Sequence, residues 1–252
     1  MSYAEIHNRR IYYETAGEGP VVIFVHPPGM SGLVFCKQLP LSEQCKLVVI
    51  DLNGHGNSSP SISGDPNSFL EDIFAVQTAV QEEQVFLFGY SAGGTVVQQY
   101  ALRYPERVKG VILASGYPKA GPLLFKIEHA MAIQLAEKTP ALMAKLISRS
   151  HFHQSDDRER MYQSMMKANP TIWQSYYRFS LTFDCTGQLS EWRLPLLLLY
   201  GEKAPIIKRH WAYYQAVPKK QMVFFKEGTH QLPSKSPADI HPVVADFIQR
   251  WR

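Results

Sequence analysis

Cysteine is scarce in this chain, and the cysteines present form no recognisable pattern. The 252 residues include three, Cys36, Cys45 and Cys185. Three cysteines are too few for a disulfide framework, and their spacing matches neither a zinc site nor a C-x-x-C redox motif. We therefore predict a protein of the reducing cytoplasm that has no structural disulfides.

The chain also has only a small excess of positive charge, and it lacks long apolar segments. The net charge is +4 at neutral pH, and the basic residues form no dense run. Because nucleic acids bind concentrated basic surfaces, we expect no nucleic acid partner. The first ten residues lack the apolar core of a signal peptide, and no segment is long enough to cross a bilayer. We therefore expect no membrane partner.

Metal-binding patterns are missing as well. The nine histidines are scattered and include no H-E-x-x-H pair. We expect neither a metal nor an organic cofactor. His151 and His153 are two residues apart among polar residues, which favours an exposed turn over a metal site.

Six unbroken apolar runs are the main structural signal. Runs of β-branched and aliphatic residues without alternation indicate strands that are buried on both faces of a parallel sheet. They are Val21–Val25, Lys46–Asp51, Val85–Phe88, Val111–Ala114, Leu196–Tyr200 and Met222–Phe225.

Helical patterns lie between several of these runs. They are Ser68–Gln81, Gly94–Tyr104, Arg209–Gln215 and Pro237–Arg252. Alternation of strands and helices predicts an α/β fold with a mostly parallel, doubly wound sheet. Residues Ala4–Glu14 alternate around a turn at Asn8, which predicts an N-terminal hairpin.

The segment between the fourth and fifth runs breaks this alternation. It contains no clear strand but several amphipathic stretches. Three of these stretches begin at a proline, namely Pro122, Pro140 and Pro170, a residue favoured in the first turn of a helix. We predict a helical lid at residues 118–189, inserted into a core of residues 1–117 and 190–252.

The pentapeptide Gly89-Tyr-Ser-Ala-Gly93 follows the third run directly, and a helical pattern follows it. A serine on a sharp strand-to-helix turn is pushed out of the sheet towards substrate, and the glycines give the turn its room. The start of the next helix offers free N–H groups to an oxyanion. Ser91 is therefore the candidate nucleophile.

A serine nucleophile needs a base, and the base needs a group that orients it. In parallel sheets such groups stand on loops at the carboxyl ends of strands. His230 follows the last apolar run and comes two residues after Gly228. A lone histidine is more often structural, but this position favours a catalytic base.

Four motifs together resemble the α/β-hydrolase family, in its lid-bearing branch of small esterases, lactonases and dehalogenase-like enzymes. They are the turn at His26, the D-x-x-G-H-G-x-S stretch Asp51–Ser58, the pentapeptide around Ser91, and Gly228-Thr-His230. They span nearly the whole chain in the order the family has. The resemblance implies the fold closely, whereas the substrates of the family are very diverse.

The resemblance also implies roles for single residues. Ser91 would be the nucleophile, His230 the general base, and the backbone N–H of Ala92 an oxyanion donor. Three further residues match positions that shape loops around the site in this family. They are His26, Asp51 and His55.

The chain departs from the family at the acid of the triad. The loop after Leu196–Tyr200 resembles G-x-x-D-P, but Ala204 stands where the family has aspartate. Glu202, two residues earlier, is the best substitute, although a solvated turn residue explains it equally well. Without an acid a slow Ser–His dyad remains, because losing the orienting acid costs about 10⁴ in turnover. The alanine is either natural or an introduced inactivating change.

A second departure concerns the oxyanion hole. The family commonly has H-G-x, in which the x residue donates its N–H. Here Pro28 matches that position, and proline has no N–H. A register shift by one residue points to Pro27, which fails equally, whereas Gly29 or Met30 could donate. Losing one donor costs roughly 10²–10³ in rate.

The predicted lid has no Lys/Arg cluster and carries many large apolar side chains, among them Phe125, Met131, Leu142, Met143, Phe152, Tyr162, Met165, Trp173, Tyr176 and Phe179. We predict a serine hydrolase that cleaves a small, largely apolar carboxylic ester or related acyl bond through an acyl-enzyme on Ser91, so its partner is a small-molecule substrate. The alternatives are a catalytically weakened relative that binds a small ligand for signalling, and C–C bond chemistry in the same scaffold. Ser91 in place of an aspartate nucleophile disfavours haloalkane dehalogenation. The sequence leaves the oligomeric state open.

Overall fold

The computed structural model describes residues 2–61, 64–121 and 123–252. Within these ranges the chain forms one sheet of eight strands. The strands are β1 (Ser2–Ile6), β2 (Arg9–Ala16), β3 (Val21–Val25), β4 (Lys46–Ile50), β5 (Val85–Tyr90), β6 (Val108–Ala114), β7 (Leu196–Gly201) and β8 (Lys220–Phe225).

The sheet has the order β1-β2-β4-β3-β5-β6-β7-β8. The first two strands form a hairpin and pair antiparallel with β4, and all later pairs are parallel. The predicted mostly parallel, doubly wound α/β sheet is therefore confirmed. The hairpin turns at His7 and Asn8, whose φ angles of 46° and 62° are those of a tight two-residue turn.

Helices cover both faces of the sheet. Nine α-helices are described: α1 (Asn67–Ala79), α2 (Gly93–Arg103), α3 (Leu123–Lys138), α4 (Pro140–His151), α5 (Ser155–Met166), α6 (Pro170–Thr182), α7 (Pro205–Lys208), α8 (Leu232–Lys235) and α9 (Pro237–Trp251). Four 3-10 helices add to them: Gly32–Glu43, Pro105–Arg107, Thr186–Gln188 and Arg209–Ala216. Two large apolar clusters, one on each face of the sheet, form the core.

Two expectations need correction. The run Met222–Phe225 lies in β8, which ends the sheet and pairs with β7 alone, so it is only partly buried and Phe224 is 38% exposed. An edge strand is open to solvent on one side, which its apolar composition did not reveal. The segment Arg209–Ala216 is a 3-10 helix, and the 3-10 helix Gly32–Glu43 was not predicted at all.

Helices α3 to α6 stand between β6 and β7, as the patterning predicts. The predicted helix starts at Pro140 and Pro170 are the first residues of α4 and α6, whereas Pro122 lies outside the described residues. The side chain of Asn169 accepts hydrogen bonds from the N–H groups of Thr171 and Ile172 and so caps α6. Of the helices described, none is long and apolar enough to cross a membrane.

Candidate active site

Ser91 stands on a strained turn between β5 and α2. Its φ angle of +50° lies in the left-handed region, which disfavours residues with a side chain. Its N–H donates to the carbonyl of Ala114 at 2.9 Å, which ties the turn to the next strand. A Cβ on Gly93 would come within 2.3 Å of the carbonyl oxygen of Val25. The glycine is therefore needed for the turn to sit against the end of β3.

His230 reaches Ser91 from the loop after β8. Its Nε2 lies 3.0 Å from Ser91 Oγ, within hydrogen-bond distance. The hydroxyl of Ser115 donates to the carbonyl oxygen of His230 at 3.0 Å, and the ring of Tyr90 lies 5.6 Å from the imidazole centroid. The structure thus brings together the two residues that the sequence predicted to act as nucleophile and base.

The environment of His230 keeps its imidazole neutral. Burial lowers its pKa from 6.5 to about 3, and the neighbouring His151 and His129 act in the same direction. No carboxylate contributes to this shift. Neutral His230 is ready to accept a proton at pH 7, but its protonated form lacks a stabilising charge.

One neighbour of His230 is a histidine whose environment was predicted incorrectly from the sequence. His151 was expected in an exposed turn, but it is buried, and burial lowers its pKa to about 4. It lies in the last turn of α4, where its Nδ1 is 2.9 Å from the carbonyl oxygen of Ile147, and the hydroxyl of Tyr90 is 2.9 Å from its Nε2. The buried residues of α4, at 143, 144, 148 and 151, have helical spacing. That spacing was the signal for its burial.

The position of the triad acid holds no acid. Ala204 is buried at the start of α7. Glu202 has an exposed side chain and does not hydrogen-bond to His230. Among the described residues, Nδ1 of His230 has no hydrogen-bond partner. Two other carboxylates are engaged elsewhere, since Glu227 pairs with Lys203, and Asp184 pairs with Lys119 at 3.8 Å.

One oxyanion donor is available at the elbow. The N–H of Ala92 has no hydrogen-bond partner in the part of the chain that the structure describes. The loop Pro27–Met30 forms a reverse turn in which Met30 N–H donates to the carbonyl of Pro27 at 3.3 Å. Gly29, with φ +76°, is the turn residue that must be glycine. Its N–H stays unpaired among the described residues, whereas Met30 is already used.

The three loop residues implied by the resemblance hold the strand ends together. His26 Nε2 accepts from Leu52 N–H at 2.9 Å, which joins the loops after β3 and β4. Asp51 accepts from Gly32 N–H and Asn57 N–H, both at 2.8 Å, while burial raises its pKa to about 6. His55 is buried, and its Nε2 has no partner in the described structure.

Apolar side chains surround the elbow. Ala92 belongs to a small buried cluster with Tyr117, Ala120, Phe125, Ala204 and Ile207. The cluster therefore joins the helical insertion to the two loops that flank the nucleophile.

A cleft of about 720 Å³ lies elsewhere, between β2, the 3-10 helix Gly32–Glu43 and α5. Neither Ser91 nor His230 lines it.

Comparison with known proteins identifies the family. The family model for serine aminopeptidase, S33, matches residues 35–235. The chain belongs to this family of serine hydrolases. The predicted α/β-hydrolase fold and hydrolase class are therefore confirmed.

Similar proteins support this assignment. This chain is 24% identical over 238 residues to a pimeloyl-[acyl-carrier protein] methyl ester esterase of Vibrio atlanticus, a match that covers 87% of this chain and 91% of that one. An esterase of Exiguobacterium antarcticum superposes with a TM-score of 0.88 at 18% identity, covering 98% and 99% of the two chains. A bromoperoxidase of Bacillus anthracis gives 0.88 at 19% identity over the same shares. At such identities the solved structures show the fold alone.

Proposed function

We propose that this protein hydrolyses a small, largely apolar carboxylic ester through an acyl-enzyme on Ser91. The observation that carries the proposal is the 3.0 Å approach of His230 Nε2 to Ser91 Oγ, on a turn that exposes the serine to substrate. The Vibrio relative and the Exiguobacterium protein of the same fold are both named as esterases, which supports an ester as the substrate.

The chemistry follows from the geometry of the dyad. Ser91 Oγ adds to the ester carbonyl while its proton passes to His230 Nε2, and the carbonyl oxygen becomes an oxyanion. The Ala92 N–H donates to that oxyanion. Collapse breaks the ester C–O bond, and His230 returns the proton to the departing alkoxide. Water then repeats the sequence on the acyl-enzyme and releases the acid.

The surroundings of the dyad favour an uncharged substrate. The titratable neighbours that affect the pKa of His230 are His151 and His129, and burial lowers the pKa of each to about 4, so both are neutral at pH 7. The wall beside Ala92 is built from Tyr117, Phe125 and other apolar residues. An ester with a charged acyl group would be desolvated there without a partner. We propose that the helical insertion, residues 118–189, serves as the lid over this wall.

Some apolar residues of the predicted lid are exposed. Met131 is 59% exposed and Leu142 is 49% exposed, so neither is enclosed by the protein. Trp173, Tyr176 and Phe125 are buried and remain the candidates for contact with substrate or the core.

The thiols of all three cysteines are free, which supports the proposed cytoplasmic location.

A weakened relative that binds a small ligand is the second candidate, because Ala204 removes the acid and Pro28 removes an N–H. Labelling with a fluorophosphonate probe separates the two. We expect labelling of the parent and turnover of p-nitrophenyl acetate, both lost in Ser91→Ala. Labelling that is found only after Ala204→Asp supports the weakened relative. No labelling in either protein rejects a serine hydrolase.

A further inference from the structure

The oxyanion hole lacks the backbone N–H that the x residue of the H-G-x motif donates in the family. The indole N–H of Trp173 is an unused donor nearby. Pro28 has no N–H, and Met30 N–H is already bound to Pro27 O. Trp173 of α6 is 1% exposed, and its Nε1 is buried with no hydrogen-bond acceptor among the described residues. A buried donor without an acceptor destabilises the fold, so its retention calls for an explanation.

The indole lies directly against the loop of the oxyanion hole. A Cβ built on Gly29 would be 2.0 Å from Trp173 Cε2 and 2.3 Å from Trp173 Nε1. The part of the indole that contains Nε1 therefore packs on the backbone of Gly29. The same loop adjoins the elbow, because a Cβ on Gly93 would lie 2.9 Å from the carbonyl oxygen of His26.

Helix α6 is fixed in this place by hydrogen bonds to the core. The hydroxyl of Tyr176 donates to the carbonyl of His26 at 2.8 Å, and Asn169 N–H donates to the carbonyl of Gly54 at 2.8 Å. These bonds hold the residues on either side of Trp173 against the loops after β3 and β4. A donor that is held before substrate arrives needs no reorganisation during the reaction.

We propose that the Trp173 indole N–H completes the oxyanion hole by donating to the oxyanion alongside Ala92 N–H. This inference rests on the proposed function. In the H-G-x motif of the family, a backbone N–H donates to the oxyanion at the position that Pro28 holds here. The proposal assigns that role to a side chain of the helical insertion. The oxyanion forms when Ser91 Oγ bonds to the carbonyl carbon and its proton moves to His230, and the indole then gains the acceptor it lacks.

The test is Trp173→Phe, which keeps an aromatic ring against Gly29 and removes the N–H. Loss of one oxyanion donor lowers turnover by roughly 10²–10³. We expect that fall in kcat on p-nitrophenyl acetate with KM nearly unchanged. A trifluoromethyl ketone, which adds to Ser91 to form an oxyanion, should lose affinity by a similar factor. Packing alone predicts a lower melting temperature without this parallel loss.

Two control variants make the result specific. Trp192 is a buried tryptophan whose Nε1 donates to Leu194 O at 2.9 Å, so Trp192→Phe should lower the melting temperature and leave kcat unchanged. Tyr177, one turn along α6, has its hydroxyl near the Trp173 N–H. Because Tyr177→Phe removes that hydroxyl and keeps the indole N–H, it should leave kcat unchanged.

The outcomes are distinct. Unchanged kcat in Trp173→Phe, with an active parent, overturns the inference alone and assigns the second donor to Gly29 N–H. Equal losses in Tyr177→Phe and Trp173→Phe also overturn it, since the indole would then act through the phenol. Absence of Ser91-dependent turnover in the parent overturns the proposed function together with this inference.

Discussion

Restoring a carboxylate by Ala204→Asp should activate the enzyme. Ala204 lies in the loop after β7, which packs on the loop that carries His230, because Lys203 N–H donates to the carbonyl of Gly228 at 2.9 Å. A Cβ on Gly201 would be 2.4 Å from the carbonyl carbon of Gly228, so the two loops are in direct contact. An aspartate at 204 would therefore stand beside an imidazole whose Nδ1 has no partner among the described residues.

The size of the effect follows from the pKa of His230. Its value of about 3, against 6.5 for a solvated histidine, disfavours the imidazolium by about 5 kcal/mol. The imidazolium forms in each step that moves a proton, so a carboxylate bound to Nδ1 lowers those barriers. Loss of the orienting acid in a complete triad costs about 10⁴, which is close to the same energy. We expect kcat to rise by about 10²–10⁴.

The assay is p-nitrophenyl acetate hydrolysis across pH, with melting temperatures for each variant. A negative charge beside His230 raises its pKa, so the acid limb of kcat/KM should move to higher pH in Ala204→Asp. Ala204→Asn is the matched control, since it can hydrogen-bond without charge and should gain far less. The reasoning is refuted if folded Ala204→Asp gains no more than Ala204→Asn, or if the acid limb stays in place.

Three smaller predictions follow. Glu202→Gln should change kcat by less than twofold in the ester assay, because Glu202 is exposed and does not contact His230; a tenfold loss would make it the acid. Ser91→Gly should have a melting temperature about 2–4 °C above that of Ser91→Ala in calorimetry, because glycine relieves about 1 kcal/mol of backbone strain at φ +50°. Equal melting temperatures would exclude that strain. Acid should destabilise the fold, because several histidines have a folded pKa of about 3 to 4, below the unfolded value of 6.5. Their stabilisation is complete above pH 6.5 and is lost as pH falls towards 4, by about 1 kcal/mol each at pH 5.5. Denaturant titrations that match at pH 7.5 and 5.5 would contradict this. These histidines are His26, His55, His129, His151 and His230.

The parts of the fold that could be predicted are those set by local pattern. The apolar runs became strands because an unbroken run can only be buried on both faces, as in β3, β5 and β7. Ser91 was found because its turn needs glycines at fixed offsets. His230 was found because a parallel sheet brings the carboxyl ends of its strands together.

The parts that could not be predicted depend on contacts between distant segments. The 2.9 Å contact of His151 Nε2 with the hydroxyl of Tyr90 joins residues that are 61 apart in the chain. The packing of Trp173 on Gly29 joins α6 to the loop after β3, and no spacing within either segment indicates it. Edge position decides the exposure of β8, and strand order follows from pairing rather than composition.

The two departures from the family act on opposite charges of one transition state. Under the proposed function, Ala204 gives no support to the developing imidazolium, and Pro28 gives none to the developing oxyanion. If neither loss were compensated, factors of about 10⁴ and 10²–10³ would together remove about 10⁶–10⁷, as much as the whole rate enhancement of a modest enzyme. A serine hydrolase built on Ser91 and His230 therefore needs another group to stabilise at least one of these charges, and the Trp173 N–H, which has no acceptor among the described residues, is the group that we propose for the oxyanion.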